Sequence, residues 1–272
     1  MRRAWGRNRA FVASAAVVLL VALAAVVSAV YTPHDPEAVE IGQRLKAPGG
    51  GYLLGTDQFG RDLLSRLLTG ASIAMIVAGV ATTISLVAGV SLGAAAGYAR
   101  GWTDEVIMRA MDGLLAFPAL LLAIAVVAAL GPGHWHAAIA IGVVGIPVFA
   151  RVTRSVVLAL AARDFVSAAQ AQGARPFYIL ARHIMPNAAA PIIVQISLGV
   201  GRAILSEAGL SYLGLGTQPP IPSWGKMLQE AQGFLSLAPW MAIFPGFAIA
   251  LTVLAFNMLG DALRDLLDPR LR

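Results

Sequence analysis

Arg202 is the charge most out of place in this chain. It lies inside an apolar run from about 189 to 210, roughly 12 Å from the end of that run at 1.5 Å per residue. An arginine facing lipid there is costly, so it is expected to face a bundle interior or a wet pathway. In that setting the guanidinium would meet a substrate carboxylate or Glu207. Five residues on one helix are about 140° apart, which makes Arg202 and Glu207 a poor same-face pair. The alternative is an arginine satisfied by backbone carbonyls in a helix contact. Other chemical candidates fall away. His134-Trp-His136 sits in a short Gly-Pro loop with no nearby carboxylate, too few donors for a metal. In Gly209-Leu-Ser-Tyr-Leu-Gly214 the second glycine comes one residue too late for a nucleophile elbow. There is no cysteine, so thiolate catalysis and disulfides are excluded, and no G-x-x-x-x-G-K-[ST] loop to cradle nucleotide phosphates. The chemistry left is recognition by charge, with no bond made or broken.

The elements that position these residues must sit in lipid. Of 272 residues, 58% are hydrophobic and 12% charged, against about a quarter charged in an ordinary soluble domain. The net charge of +6 is scattered at the ends of apolar runs and forms no patch for nucleic acid. Six apolar segments approach the ~20 residues needed to span a bilayer. They cover about 10–31, 73–98, 106–130, 137–160, 189–210 and 240–263. The first follows Arg2, Arg3, Arg7 and Arg9 and is longer than a signal peptide's apolar core, so it reads as an uncleaved anchor. With the N-terminus inside, fourteen of the twenty Lys and Arg residues fall on the cytoplasmic side, which places both termini there. The expected organisation is an anchor over 1–31, an extracytoplasmic loop over 32–70 and a membrane domain over 71–272.

The loops differ in kind. Pro33, Pro36, Pro48 and Gly49-Gly50-Gly51 predict an irregular cap. The loop over 211–239, with Pro219, Pro220, Pro222 and Trp224, suits the membrane interface as a floor for a soluble partner. Asp112 is expected beside Arg109 at i, i+3. Pro118, Pro147 and Pro245 fall within spans and can kink them.

The segment from Asp164 to Asn187 is polar, Ala-rich and basic, and lies between two apolar runs. Ser167, Ala168, Ala169 and Gly173 have little or no side chain, so a helix here can approach a partner's backbone closely. Gly173 can end a first short helix in a left-handed conformation, and Pro176 can start the next. A bent helix–turn–helix along the membrane surface is expected, with Phe165, Phe177 and Tyr178 as knobs for a partner's cleft. The bland alternative is an interfacial helix that touches only lipid.

Ala168, Ala169, Gly173, Ile184, Met185 and Pro186 resemble the cytoplasmic "EAA" loop of ATP-binding-cassette importer permeases, with Ser167 where that pattern has its acidic residue. Gly55-Thr-Asp-Gln-Phe-Gly-Arg-Asp62 resembles the "GTDxxGRD" signature of the C-type permease subunit of dipeptide, oligopeptide and nickel importers. Read alone, Gly55 and Gly60 permit positive backbone dihedrals and Asp57 can cap a turn, with Thr56, Arg61 and Asp62 completing the signature. The runs 207–216, 218–220, 222–225 and 257–269 resemble the same family in the same order.

The resemblance implies an all-α membrane protein with the type I importer permease fold, six spans and a coupling loop at 163–187 between spans four and five. It implies a bacterial or archaeal plasma membrane, a second, B-type permease as heterodimer partner, two ATPase subunits and an extracytoplasmic binding protein. This chain would bind no cofactor itself, with ATP and Mg on the partner ATPases, and would have no catalytic site. The substrates implied are dipeptides or oligopeptides, with a nickel chelate, glutathione or opine as alternatives. An ion-coupled secondary transporter, the rival of another class, would need ionisable residues near mid-membrane, and only Arg202 comes close.

Overall fold

The computed structural model describes residues 2–267, with side chains from Arg9 onward. Asp268, Pro269, Arg270 and Arg272, which enter the sequence reading, lie outside the described residues. Regular structure among the described residues is helical, apart from two isolated β-bridges in the cap, Gly49 with Tyr52 and Thr56 with Asp62. The helices are α1 (Arg2–Ser28), α2 (Leu63–Ala99), α3 (Gly101–Leu115), α4 (Ala119–Leu130), α5 (His134–Ala161), α6 (Asp164–Ala171), the single turn α7 (Pro176–Tyr178), α8 (Met185–Tyr212), α9 (Trp224–Ala231) and α10 (Trp240–Leu267). Among the described residues, five stretches are long and apolar enough to cross a membrane: the apolar part of α1, α2, α5, the run Pro176–Tyr212, and α10.

The contact that sets the topology is between α2 and α5. Gly89, Gly93 and Gly97 form one stripe on α2, four residues apart. A Cβ at Gly89 would lie 2.5 Å from the Phe149 Cβ, one at Gly93 2.3 Å from the Ala150 carbonyl, and one at Gly97 2.9 Å from the Arg154 carbonyl. The backbones therefore touch, as they do where small residues line a membrane helix contact. Gly142 and Gly145 of α5 answer from the other side, against Ile84 and Ser85. The Ser85 hydroxyl donates across the contact to the Gly142 carbonyl at 2.7 Å. Partner numbers rise together along both helices, so α2 and α5 run parallel.

Parallel neighbours demand a return crossing. The chain between them is α3 and α4, which meet at a 91° bend. The continuous third span expected over 106–130 is therefore a broken one. Pro118 stands at the break with ψ 129, outside the helical region, and its ring and missing N–H forbid a straight passage. Pro147 and Pro245 stay inside unbroken helices. The sixth crossing is this bent pair.

The remaining spans pack on this frame. Gly199 of α8 lies beneath the Phe149 ring of α5. On α10, Phe256 accepts a bond at its carbonyl from the Ser197 hydroxyl, at 2.7 Å. Gly201 packs on Phe256, and Gly260 packs on Leu198 and Ser197, so α8 and α10 are antiparallel. Val77, Ala78, Val127, Ala138, Ile204 and Leu210 are fully buried in the shared core. Leu19, Leu20, Leu23 and Val26 of α1 stay exposed, as a lipid-facing surface requires.

Two expectations are corrected at the helix ends. Asp112 pairs with Arg151 of α5 at 2.6 Å, whereas Arg109 pairs with Glu105 at 3.4 Å. Arg154 also binds Asp104, with Nε and Nη2 each 2.5 Å from a carboxylate oxygen, so α3 is strapped to α5 twice. The loop over 211–239 carries a short helix, α9. Ser223 caps α9 by accepting from the Lys226 N–H, and Trp224 and Met227 bury its inner face. The second span begins at Leu63, ten residues before its expected start, because its first turns belong to the cap.

Gly93→Ile tests the central contact. Its side chain has no space against the Ala150 carbonyl, and overpacking of this kind costs about 1–3 kcal/mol or more. The melting temperature of the purified protein in detergent should fall. Gly79→Ala is the control, since a Cβ there meets nothing within 4 Å. It should leave the melting temperature unchanged or raise it, because alanine is the better helix former.

Candidate functional site

Three places gather the residues singled out by the sequence: the segment between α5 and α8, the cap at the opposite end, and a cavity between them.

At the first place, α6 docks by Val166 and Ala169, three residues apart on one face. They bury against Ala94, Val157, Ile179 and Ile184. The opposite face carries Asp164, Phe165, Ser167 and Ala168, all exposed. The helix ends as its sequence predicts. Gly173 has φ +80°, its N–H donates to Gln170, and the next N–H, of Ala174, reaches back to Ala169. This is the paired 6→1 and 5→2 pattern of a glycine helix stop. Pro176 then starts α7, where a missing N–H costs nothing. The second limb differs from the expected separate helix. It runs through a wide π-helical turn over Ile179–Ile184 straight into α8. Pro186, exposed, follows that turn. The widening relieves the clash its ring would make with the preceding turn. Phe177 is 81% exposed, with Tyr178 and Phe165 also exposed. Three aromatic side chains therefore stand uncovered on a well-anchored segment.

At the cap, Gly55-Thr-Asp-Gln-Phe-Gly-Arg-Asp62 is buried where its sequence reads as a surface loop. Thr56, Asp57, Arg61 and Asp62 are all under 9% exposed. Asp57 accepts from the backbone N–H of Phe59 (2.8 Å) and Arg61 (3.0 Å), and its other oxygen from Arg61 Nε at 2.6 Å. Asp62 caps α2 by accepting from the Ser65 N–H at 2.9 Å. Gly55 and Gly60, at φ +82° and +78°, press against the carbonyls of Lys46 and Glu40, where a side chain has neither the space nor the dihedral. The Thr56 hydroxyl donates to the Gln43 carbonyl, and the Trp240 indole donates to the Thr56 carbonyl at 3.2 Å. The Tyr52 hydroxyl donates to Glu40 at 3.0 Å, and this carboxylate raises the phenol above its usual range.

The sequence reading missed Arg66 and Glu230. Arg66 is 1% exposed, and its Nε lies 3.5 Å from Asp57 Oδ2. Oε2 of Glu230 on α9 accepts from both Arg66 Nη2 (3.0 Å) and Arg61 Nη2 (2.9 Å). Trp224 adds a bond from its indole to the Leu67 carbonyl at 2.9 Å. The cap loop, the head of α2 and α9 are thus one unit closed by two carboxylates on two arginines. The sequence signal available was an arginine four residues after Asp62, on the inner face of a helix started by that aspartate.

Between the ends, α2, α5, α8 and the α3–α4 break line an open cavity of about 330 Å³. Phe117 of the break and Phe149 of α5 line it, and so does Arg202, whose side chain is exposed at its mouth. Arg202 Nε donates to the Leu198 carbonyl at 3.3 Å. Glu207 is not among the lining residues. It is 1% exposed and accepts from the hydroxyls of Ser211 (2.7 Å) and Thr217 (3.3 Å). The structure keeps Arg202 and Glu207 apart, as their spacing requires.

Glu230→Gln should destabilise the cap, because it leaves two buried guanidinium groups short of a counter-charge, a change that costs about 3–5 kcal/mol. Protease digestion of the folded protein is expected to cut between residues 213 and 239 much faster in the variant than in the parent.

A family model described as "binding-protein-dependent transport system inner membrane component" matches residues 89–272. Over 98% of its length the chain is 44% identical to a dipeptide transport system permease protein of Alkalihalophilus pseudofirmus, covering 88% of that protein. It is 43% identical over 98% of its length to a glutathione transport system permease protein of Pectobacterium atrosepticum, covering 89% of it. It is also 41% identical over 99% of its length to a di/tripeptide transport system permease protein of Pseudomonas aeruginosa, covering 91% of it. A helical bundle with its spans joined in this order, matched over most of its length, belongs to the family of inner membrane components of binding-protein-dependent transport systems.

Proposed function

We propose that this chain is the membrane-spanning permease subunit of an ATP-driven importer of dipeptides or short oligopeptides. A second permease, two ATPase subunits and an extracytoplasmic binding protein complete the machine. The observation that carries the reading is the segment 163–187, where a firmly anchored short helix offers small residues and uncovered aromatic rings. Phe165, Phe177 and Tyr178 suit insertion into a cleft of an ATPase, and Ser167, Ala168 and Gly173 let backbones approach. ATP and Mg belong to those partners. The named relatives transport dipeptides, di/tripeptides or glutathione, so a free carboxylate is common to the favoured substrates. The segment faces the cytoplasm together with both termini. The cap faces outward to receive the binding protein on α9 and the loop around it.

Coupling follows from mechanics. Movement of the ATPases pulls on α6, which is packed on the ends of α2 and α5 through Ala94 and Val157. The run Pro176–Tyr212 then passes the displacement directly into the span bearing Arg202. Rocking of one permease against the other exposes the pathway to each side in turn.

In proteoliposomes holding the whole complex, uptake of a dipeptide should require ATP and survive collapse of the proton gradient. Uptake driven by the gradient without ATP would sink the reading in favour of a secondary transporter. Gly173→Val should uncouple the machine without unfolding the spans. A β-branched residue at φ +80° costs roughly 1–2 kcal/mol locally, and this strain is expected to distort the helix stop. Transport and copurification of the ATPases should drop together, and normal values of both would remove the docking role. Arg202→Cys should react with a membrane-impermeant thiol reagent in at least one conformational state. The parent chain has no cysteine to confuse the labelling. Silence in both the resting and ATP-trapped states would mean that the side chain is packed in protein.

A further inference from the structure

The cavity beside Arg202 has more polar character than an arginine alone. Gln195, Gly199, Arg202 and Ser206 line it from α8 at spacings of four, three and four, which is one face of one helix. Thr82 and Ser85 line it from α2. Ser85 is occupied, since its hydroxyl sits between the carbonyls of Ala81 and Gly142. Thr82 and Gln195 are not. Gln195 is 8% exposed and Thr82 5% exposed, yet the Gln195 Nε2 and the Thr82 hydroxyl have no hydrogen-bond partner among the described residues. A buried polar group left in this state is costly unless something else satisfies it.

The three residues line one cavity. A Cβ added to Gly199, between Gln195 and Arg202 on the stripe, would lie 3.5 Å from the Thr82 methyl and 3.2 Å from the Phe149 ring. The missing side chain at Gly199 thus lets the methyl end of Thr82 pack on the stripe at a residue that lies between Gln195 and Arg202 in sequence. Arg202 spends its Nε on the Leu198 carbonyl. Its two terminal nitrogens make no hydrogen bond within the described residues, and they are the ones that grip a carboxylate as a fork. The rest of the wall is apolar, with Phe117, Phe149, Ile141 and Val144. Charge recognition is stronger in such surroundings than in water.

We propose that Arg202, Gln195 and Thr82 form a carboxylate-binding site inside the membrane, which holds the C-terminal carboxylate of a short peptide on its way through. Resting on the importer reading, the site has one cation and two neutral donors, which matches a monoanion with several acceptor lone pairs. A volume of about 330 Å³ is at the small end of the ~300–1,000 Å³ of ligand pockets. It takes the end of a peptide, not a long chain.

The test uses the assembled complex in nanodiscs without binding protein, so that selection by that protein is removed. Equilibrium binding of trialanine is compared with that of its C-terminal amide, which keeps the shape and loses the charge. The parent complex should bind trialanine about tenfold or more tightly than the amide, as loss of a charged hydrogen bond implies. Arg202→Met and Gln195→Leu should reduce trialanine to the level of the amide, and Arg202→Lys should restore part of the difference. Should the first two variants fail to assemble, Arg202→Lys and the isosteric Thr82→Val decide the matter, and each must narrow the preference. Equal binding of the two peptides to the parent, no binding of either, or a preference untouched by the variants would overturn the site. ATP-dependent uptake of trialanine in proteoliposomes, with binding protein present, reads the importer proposal separately. Uptake without discrimination in the binding assay removes this site alone, and absence of uptake removes both.

Discussion

The backbone contact between α2 and α5 constrains everything else in this bundle. Glycines at 89, 93 and 97 let two long helices run parallel at touching distance. Two parallel neighbours in one membrane cannot be joined on one side, so the chain between them has to recross. That return is made by a pair of short helices with a proline at their junction. The break then becomes a wall of the cavity, because Leu114, Leu115, Phe117 and Ala119 converge where a straight helix would have filled the space. A packing requirement on one face of α2 thereby creates the opening that Arg202 lines on α8.

The two ends of the bundle solve different problems. One end holds α6 by a handful of buried aliphatic residues and leaves its aromatic side chains uncovered. Apolar anchoring is non-directional and tolerates small shifts. The other end is held by charge. Asp57, Arg61, Arg66 and Glu230 form a directional cluster in which each guanidinium meets two carboxylates. Such a cluster gives little net stability over an apolar core, but loss of any member is severe. It fixes where α9 sits relative to the head of α2.

Much of this was legible in the residues. Uncharged runs of about twenty residues gave the spans, and positive φ at Gly173 and the start of a turn at Pro176 follow from what those residue types permit. The burial of the 55–62 loop was not legible. Its partner Glu230 lies 169 residues from Arg61, in a stretch that reads as a proline-rich interfacial loop. The break at Pro118 is legible only as a kink, since Pro147 and Pro245 look the same in sequence and sit in unbroken helices. The parallel neighbour at α5 decides between them. Helix spacing alone sets Asp112 beside Arg109, whereas the fold supplies Arg151 from another helix. Arg202 was singled out by its depth. Gln195 and Thr82 were invisible, because an uncharged polar residue in a span is ordinary until its hydrogen bonds are counted.

The clasp also has a consequence for biosynthesis. Arg66 reaches its Glu230 partner across 164 residues of chain. At ribosomal rates of ~5–20 residues per second this interval is roughly 10–30 s. Four further crossings, the bent pair and α5 and α8 among them, have to enter the bilayer in that time. During it the cap retains Asp57 as its own carboxylate, while the second one is still to be made. The capped end of this protein is therefore completed late, after the spans that separate its two halves are in place. A chain that stops before α9 leaves Arg61 and Arg66 sharing Asp57, an excess of positive charge at the capped end.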